Sequence, residues 1–212
     1  MLAKQFKDRI DAGNQLVSVL QKYAHAKNTI VVGLPRGGVV TAYAVAQGLG
    51  LPLDIVVPRK VGAPDQPELA VGAVAEDGSV IFNDDIMSIL GLSPDDMRES
   101  IERETQEAQR RLRVYRAGME PRDFKGKTVI VVDDGIATGA TMRAALASLH
   151  AQGAASLIVA APVAARGALD SLNAKEIYCP LISDYFPGIG YFYQSFAQTT
   201  DQEVIDLLGR HR

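Results

Sequence analysis

Cysteine is close to absent from this chain: Cys179 stands alone, so no internal disulfide can form and a disulfide-stapled scaffold is excluded. The three histidines, His25, His150 and His211, are too scattered for a metal-ligand spacing. Excess positive charge is also missing. With 22 Lys and Arg against 25 Asp and Glu, the net charge of −3 gives no overall pull toward nucleic acid or an anionic membrane. No apolar run reaches the about twenty residues of a membrane span. At the N-terminus, Lys4, Lys7, Asp8, Arg9 and Asp11 interrupt the apolar core that a signal peptide would need. There is no internal repeat, no Gly-Lys-Ser/Thr phosphate loop and no G-x-G-x-x-G following a strand. These absences lead to an expected compartment, the cytoplasm, with no nucleic-acid or membrane partner.

What is present is the material of an ordinary globular domain, with 212 residues of which 47% are hydrophobic and 22% charged. Its most informative stretch is Val129-Ile130-Val131-Val132-Asp133-Asp134-Gly135-Ile136-Ala137-Thr138-Gly139-Ala140-Thr141. The β-branched run is too short and too uniformly apolar for an amphipathic helix, and reads as a buried parallel strand. Two carboxylates end it, a small-residue turn follows, and Met142 to His150 reads as a helix. Gly135 and Gly139 let the backbone approach a ligand, Thr138 and Thr141 offer hydroxyls, and the amides opening the helix point outward with the positive end of its dipole behind them. A phosphate fits that turn. Asp133 and Asp134 would repel it on contact, so they suit another part of the same ligand, such as vicinal hydroxyls with or without Mg²⁺. A phosphate with a diol about one sugar ring away describes a ribose 5-phosphate. A plain strand-to-helix turn, with the acids capping the helix, is the bland alternative.

The segment Val131 to Thr141 resembles the phosphoribosyl pyrophosphate (PRPP) motif of type I phosphoribosyltransferases. The resemblance implies that fold: an α/β domain over residues 1–212 with a central, mostly parallel sheet of about five strands flanked by helices. A helical insertion at about 83–122 and a C-terminal hood at about 180–200 complete it. It also implies that Asp133 and Asp134 hold the ribose hydroxyls, directly or through water on Mg²⁺. Ala137, Thr138, Gly139, Ala140 and Thr141 would wrap the 5-phosphate, and Ile136 would pack under the incoming base. Family members acting on 6-oxopurines carry an aspartate where Ala137 stands; the Ala-Thr-Gly here is similar to the adenine-using branch, which disfavours hypoxanthine and guanine.

A second strand, Thr29 to Leu34, ends in Pro35-Arg36-Gly37-Gly38 before a helix from Val39 to Leu49. A glycine loop at the carboxyl end of a parallel strand lies on the ligand-bearing edge of an open sheet. Here Arg36 supplies charge, and Gly37 and Gly38 permit close approach. This loop looks like the family's pyrophosphate loop, which often carries a non-proline cis peptide; the bond before Arg36 is the candidate. After a third strand, Leu53 to Val57, the stretch Pro58 to Glu68 holds three prolines and a glycine in eleven residues and is expected to be a loop. Its Arg59-Lys60 resembles the pair that opens the family's flexible catalytic loop, which implies catalytic roles for both.

Ala70 to Phe82 reads as a small hairpin turning at Asp77-Gly78. Ser93-Pro94-Asp95-Asp96 reads as a helix start, and Met97, Ile101, Ala108, Leu112 and Tyr115 form a narrow apolar stripe on a helix running to Arg116, roughly 35 Å long at 1.5 Å per residue. That helix suits a charged surface element, an oligomer contact such as a homodimer, or a lid. Near the N-terminus, Leu2, Phe6, Ile10, Leu16, Val19 and Leu20 fall near helical spacing, with Gly13 placed to break or bend the run. Two further strands, Leu157 to Val163 and Glu176 to Leu181, precede an aromatic-rich tail. By position the tail matches the hood, with Tyr185, Phe186 and Tyr191 as base-stacking candidates; for each taken singly, core packing is the plainer reading. Asp201 to Leu208 reads as a closing helix.

The resemblance implies an enzyme that transfers the phosphoribosyl group from PRPP to a small nitrogenous base, with Mg²⁺ and release of pyrophosphate. A non-catalytic PRPP or nucleotide sensor on the same fold is the alternative, and a PRPP-making diphosphokinase, a duplicated-domain enzyme, is a distant third.

Overall fold

The structure is a computed structural model that describes residues 6–64, 66–120 and 122–211. In chain order the elements begin with helix α1 (Arg9–Val19), strand β1 (Thr29–Gly33), helix α2 (Gly37–Leu49) and strand β2 (Leu53–Ile55). Strands β3 (Arg59–Ala63), β4 (Gln66–Val74) and β5 (Val80–Phe82) follow, then helices α3 (Asp84–Leu90) and α4 (Arg98–Arg116). Strand β6 (Thr128–Val132), helix α5 (Ala140–Ala151), strands β7 (Ser156–Ala160) and β8 (Val163–Ala165) and helix α6 (Arg166–Leu169) come next. Strands β9 (Glu176–Tyr178) and β10 (Leu181–Ser183) and helix α7 (Asp201–Arg210) end the chain.

Five strands form one parallel sheet in the order β2-β1-β6-β7-β9. Both faces are covered, which is why its strands are apolar without alternation. Val31, Ile130, Val132 and Ile158 point to the side of α1, α2 and α7, whereas Ile30, Val32, Val129 and Val131 point to the side of α5. From β1 the chain proceeds to β2 on one flank, and from β6 to β7 on the other. The carboxyl ends of β1 and β6 therefore border the topological switch point, where open parallel sheets bind ligands.

Gly13 does not break the first helix. An added Cβ there would lie 2.6 Å from the Thr41 carbonyl oxygen and 2.7 Å from the Ala44 Cβ, so this glycine serves the close crossing of α1 and α2. Leu2 lies outside the described residues. Phe6 precedes the helix and is buried instead by pairing with the tail, its amide donating to the Phe192 carbonyl at 2.8 Å; Ile10 and Val19 are exposed.

The stretch expected as a loop after β2 is instead an antiparallel hairpin, β3 and β4, extended by β5 into a three-stranded sheet. The prolines are accommodated without breaking it. Pro58 precedes β3, Pro64 sits at the turn, and Pro67 falls where β4 has no second neighbour, since β5 pairs only with Gly72 to Val74. The pairing slips at Val61, Gly62 and Ala63. The Asp77-Gly78 turn between β4 and β5 stands where the sequence put it, with Gly78 at φ +85°.

Helix α4 joins the two sheets. A capping box between Ser93 and Asp96 opens a 3₁₀ turn at Pro94–Met97, which runs into α4. The stripe is consumed within the chain: Met97 and Ile101 pack with Val61, Val71 and Val74 of the hairpin, whereas Ala108, Leu112 and Tyr115 pack against the five-stranded sheet. Arg116 grips Asp54 of β2 through contacts of 3.1 to 3.2 Å, and Asp54 is buried. The late strands are shorter than the sequence suggests. Pro162 and Pro180 end β7 and β9, and the chain beyond each leaves the main sheet to pair as β8 with β10. Among the described residues no helix is long and apolar enough to cross a membrane.

Removing the guanidinium with Arg116→Met strands the Asp54 carboxylate in a buried site. The expected loss is about 3 kcal/mol of unfolding free energy, measured by urea denaturation, with partial recovery when Asp54→Leu is combined with it.

Candidate functional site

Two loops meet at the switch point. The first leaves β1 through Leu34, whose amide donates to the Val132 carbonyl at 3.1 Å, and passes a cis peptide between Pro35 and Arg36 before α2 begins at Gly37. The second leaves β6 at Asp133 and Asp134. They touch so closely that neither glycine of the first loop tolerates a side chain. A Cβ on Gly37 would meet Asp134 Oδ2 at 2.0 Å, and one on Gly38 would meet Asp133 Oδ1 at 2.6 Å and Asp133 Cα at 2.9 Å.

The acidic pair is held from two further directions. Arg9 of α1 reaches Asp134 Oδ2 through Nε at 2.7 Å, donates through Nη1 to the Ala197 carbonyl at 2.7 Å, and stacks over the Phe196 ring at 3.8 Å. The Tyr193 hydroxyl donates to the Asp134 carbonyl at 2.6 Å. Asp133 accepts from the Asp134 amide at 2.9 Å. Burial and the adjacent Asp134 charge push the Asp133 carboxyl well above the ordinary range. Burial raises Asp134 as well, against the opposing pull of Arg9. Asp134 is thus bound to the protein, and Asp133 is the member without a basic partner among the described residues.

The phosphate-type turn follows directly. Ile136 is pinned on both sides by β8, its amide to the Val163 carbonyl and its carbonyl to the Ala165 amide, each at 2.9 Å. Ala137 and Thr138 are exposed, and Gly139, at φ +76°, caps α5 in the left-handed conformation, with Ala140 and Thr141 opening the helix. A cavity of about 120 Å³ lies here, walled by Asp133, Ile136, Thr138, Thr141, Met142 and the hood residue Ile189. Ile136 itself is buried. Of the aromatic candidates, Tyr185 is 70% exposed and meets Tyr191 edge-on, while Phe186 tilts against Phe192. The hood residue Ile189 closes over the start of the turn, where a Cβ on Gly135 would strike it at 2.6 Å.

The structure brings Gly37, Gly38, Asp133, Asp134 and residues 137–141 together. Arg36 turns toward the start of α7, 3.6 Å from Asp201. Arg59 and Lys60 lie outside the walls of the phosphate-turn cavity and line another of about 290 Å³ between β3 and α4. Both Nε and Nη2 of Arg59 donate to Glu104 Oε2, at 3.1 and 2.9 Å. Sequence reasoning missed Arg9, Tyr193 and Ile189. No local signal marks Arg9, whereas Tyr193 and Ile189 fall within the tail already singled out.

No group of three or more His, Cys, Asp or Glu side chains among the described residues is arranged around a metal position. Asp133 and Asp134 fit only an ion that takes most of its ligands from phosphate and water, which is the usual habit of Mg²⁺. The contact between the loops yields a direct test. Gly38→Ala should cost about 1–3 kcal/mol of stability through overpacking, whereas Gly167→Ala, where an added Cβ meets nothing within 4 Å, should stay within about 0.5 kcal/mol; thermal unfolding of both variants makes the comparison.

The family model described as "Phosphoribosyl transferase domain" matches residues 3–189. Two curated Mycobacterium tuberculosis proteins, from strains CDC 1551/Oshkosh and H37Rv, are named only provisionally as phosphoribosyl transferases and are 41% identical over 212 residues. That match covers 99% of this chain and 48% of theirs, so the chain spans about half the length of these relatives. The crystal structure of TT1426 from Thermus thermophilus superposes with a TM-score of 0.84 at 36% identity, covering 98% of this chain and 99% of that one. A hypoxanthine phosphoribosyltransferase from Staphylococcus aureus shares the fold alone, with a TM-score of 0.50 at 13% identity over 85% of this chain and 76% of that one. With an α/β core of five parallel strands, an acidic pair at the switch point and a family match across most of its length, the chain belongs to the phosphoribosyl transferase domain family.

Proposed function

We propose that the chain transfers the 5-phosphoribosyl group from PRPP to a nitrogen of a small base and releases pyrophosphate. The observation that carries this reading is the packing of Gly37 and Gly38 against Asp133 and Asp134, directly beside the turn at 137–141. One concave edge thereby offers backbone for a diphosphate, carboxylate for a diol, and amides with two threonine hydroxyls for a phosphate.

In this reading residues 137–141 hold the 5-phosphate, and Asp133 accepts the ribose hydroxyls. Asp134, tied to Arg9, fixes the geometry of Asp133 and places further negative charge near C1, where positive charge develops as the bond to pyrophosphate breaks. Mg²⁺ carried in with the diphosphate would supply positive charge to the leaving group. The backbone at Gly37 and Gly38 lies against that leaving group, with Arg36 at its edge. The C1–O bond breaks as the N–C1 bond forms from the opposite face, giving inversion. Arg59 and Lys60 would join by exchange: Arg59 would leave Glu104 for the diphosphate as its charge grows, and closure would exclude water. The base would lie over Ile136 with Ile189 and the aromatic stretch from Tyr185 to Tyr191 above it. The chain offers no carboxylate at Ala137 to trade a proton with a 6-oxopurine.

Pyrophosphate release measured with PRPP, Mg²⁺ and a panel of bases tests the activity. Turnover with at least one base is expected, and hypoxanthine or guanine as the preferred acceptor by kcat/KM would refute the specificity argument. By calorimetry, Asp133→Asn should weaken PRPP binding by roughly 10- to 100-fold, the worth of a charged hydrogen bond of about 1.5–3 kcal/mol; unchanged affinity in the folded variant would refute the ribose assignment. Arg59→Ala should lower kcat with little change in PRPP affinity, because its contact forms late. Lost affinity with retained kcat would make it a binding clamp instead.

A further inference from the structure

A second cavity, of about 650 Å³, shares no wall residue with the cavity at the phosphate turn. That volume lies in the range of small-molecule sites. One wall is a face of α5 on which Arg143, Leu146, Ala147 and His150 recur at i, i+3, i+4 and i+7, about 10 Å end to end at 1.5 Å per residue. The start of β7, at Ser156 and Leu157, and the segment before β9, at Asn173 and Lys175, close it. Arg143, His150 and Lys175 give this cavity three basic side chains, and no Asp or Glu lines it, in a chain whose net charge is −3.

Its polar groups are largely unengaged. The Ser156 hydroxyl is buried without a hydrogen-bond partner, an arrangement that folded proteins rarely leave in place. Among the described residues the Lys175 ammonium, the Asn173 amide and the His150 ring make no side-chain hydrogen bond. Arg143 uses only Nη1, donating to the Thr138 carbonyl at 3.2 Å and the Ser171 hydroxyl at 2.8 Å, which leaves Nε and Nη2 to face a ligand. Leu146, Ala147 and Leu157 supply an aliphatic floor.

We propose that this cavity binds an organic phosphate. The phosphate sits among the basic side chains of this cavity, Arg143, His150 and Lys175, and the apolar body lies along Leu146, Ala147 and Leu157. Because the same guanidinium holds the Thr138 carbonyl, occupancy is coupled to the turn at 137–141, and by linkage the coupling is reciprocal. The coupling rests on the proposed function, whereas the binding itself does not.

The test is calorimetric titration of the full chain with AMP, with GMP and with inorganic phosphate, in wild type and in three variants: Asp133→Asn, Lys175→Glu and Ala147→Trp. The first weakens the proposed PRPP site, the second reverses a charge on an exposed side chain, and the third fills the cavity without altering charge. A nucleotide-binding event is expected that survives Asp133→Asn and weakens at least tenfold in both Lys175→Glu and Ala147→Trp, with inorganic phosphate binding much more weakly. Three results would overturn the proposal: no nucleotide binding in wild type, binding that vanishes in Asp133→Asn yet is unaffected by the other two variants, or inorganic phosphate binding as tightly as either nucleotide. Absence of pyrophosphate release alongside the expected pattern would refute the transferase reading and leave this site standing.

Discussion

The structure is organised by the need to keep two adjacent carboxylates at the end of a buried strand. Asp133 and Asp134 are drawn into a low-dielectric setting, where like charges repel strongly and an unpaired charge costs several kcal/mol. Arg9 answers one of them, and this contact ties α1 to the end of β6. Helix α1 must cross α2 closely enough to deliver the guanidinium, which Gly13 and Gly48 permit, the latter facing Val17. The tail must return to cover Arg9 with Phe196 and the Ala197 carbonyl. Phe6, Phe192 and Tyr193 then bury one another beside Val163, forming a small separate core under the hood. A site assembled this way has its acidic floor fixed before any ligand arrives.

Helix α4 makes the second connection. Its lower half packs on the hairpin and its upper half on the main sheet, and its polar groups follow the same division. Glu104 holds Arg59 of β3, Arg116 holds Asp54 of β2, and the Tyr115 hydroxyl donates to Asp201 at the start of α7. Asp201 in turn lies within ion-pair distance of Arg36, so α4 reaches the loop after β1 through one intermediary. Elsewhere on α4, Glu107 pairs with Arg110 and Arg111 at the surface, where Arg110 is exposed and the other two are half-buried. The two arginines pull the Glu107 carboxyl down to about 2. These surface pairs contribute little to stability compared with the buried contact at Asp54.

Much of this architecture was legible in the sequence because its causes are local. Thr29 to Gly33 and Thr128 to Val132 announce buried parallel strands through unbroken β-branched runs, and Asp133 to Thr141 announces its turn through small residues and hydroxyls. Ser93, Pro94 and Asp96 announce a helix start by reciprocal capping. What tertiary structure decided lies at longer range. Whether Pro58 to Glu68 is a loop or a hairpin depends on β4 finding β3 and on α4 covering the pair, and prolines forbid pairing only on the side where a partner strand needs their amide. Whether Gly13 breaks a helix or lets two helices touch depends on α2. The partner of Asp134 is an arginine 125 residues away, fixed by no spacing or period, so only the folded chain could bring the two together.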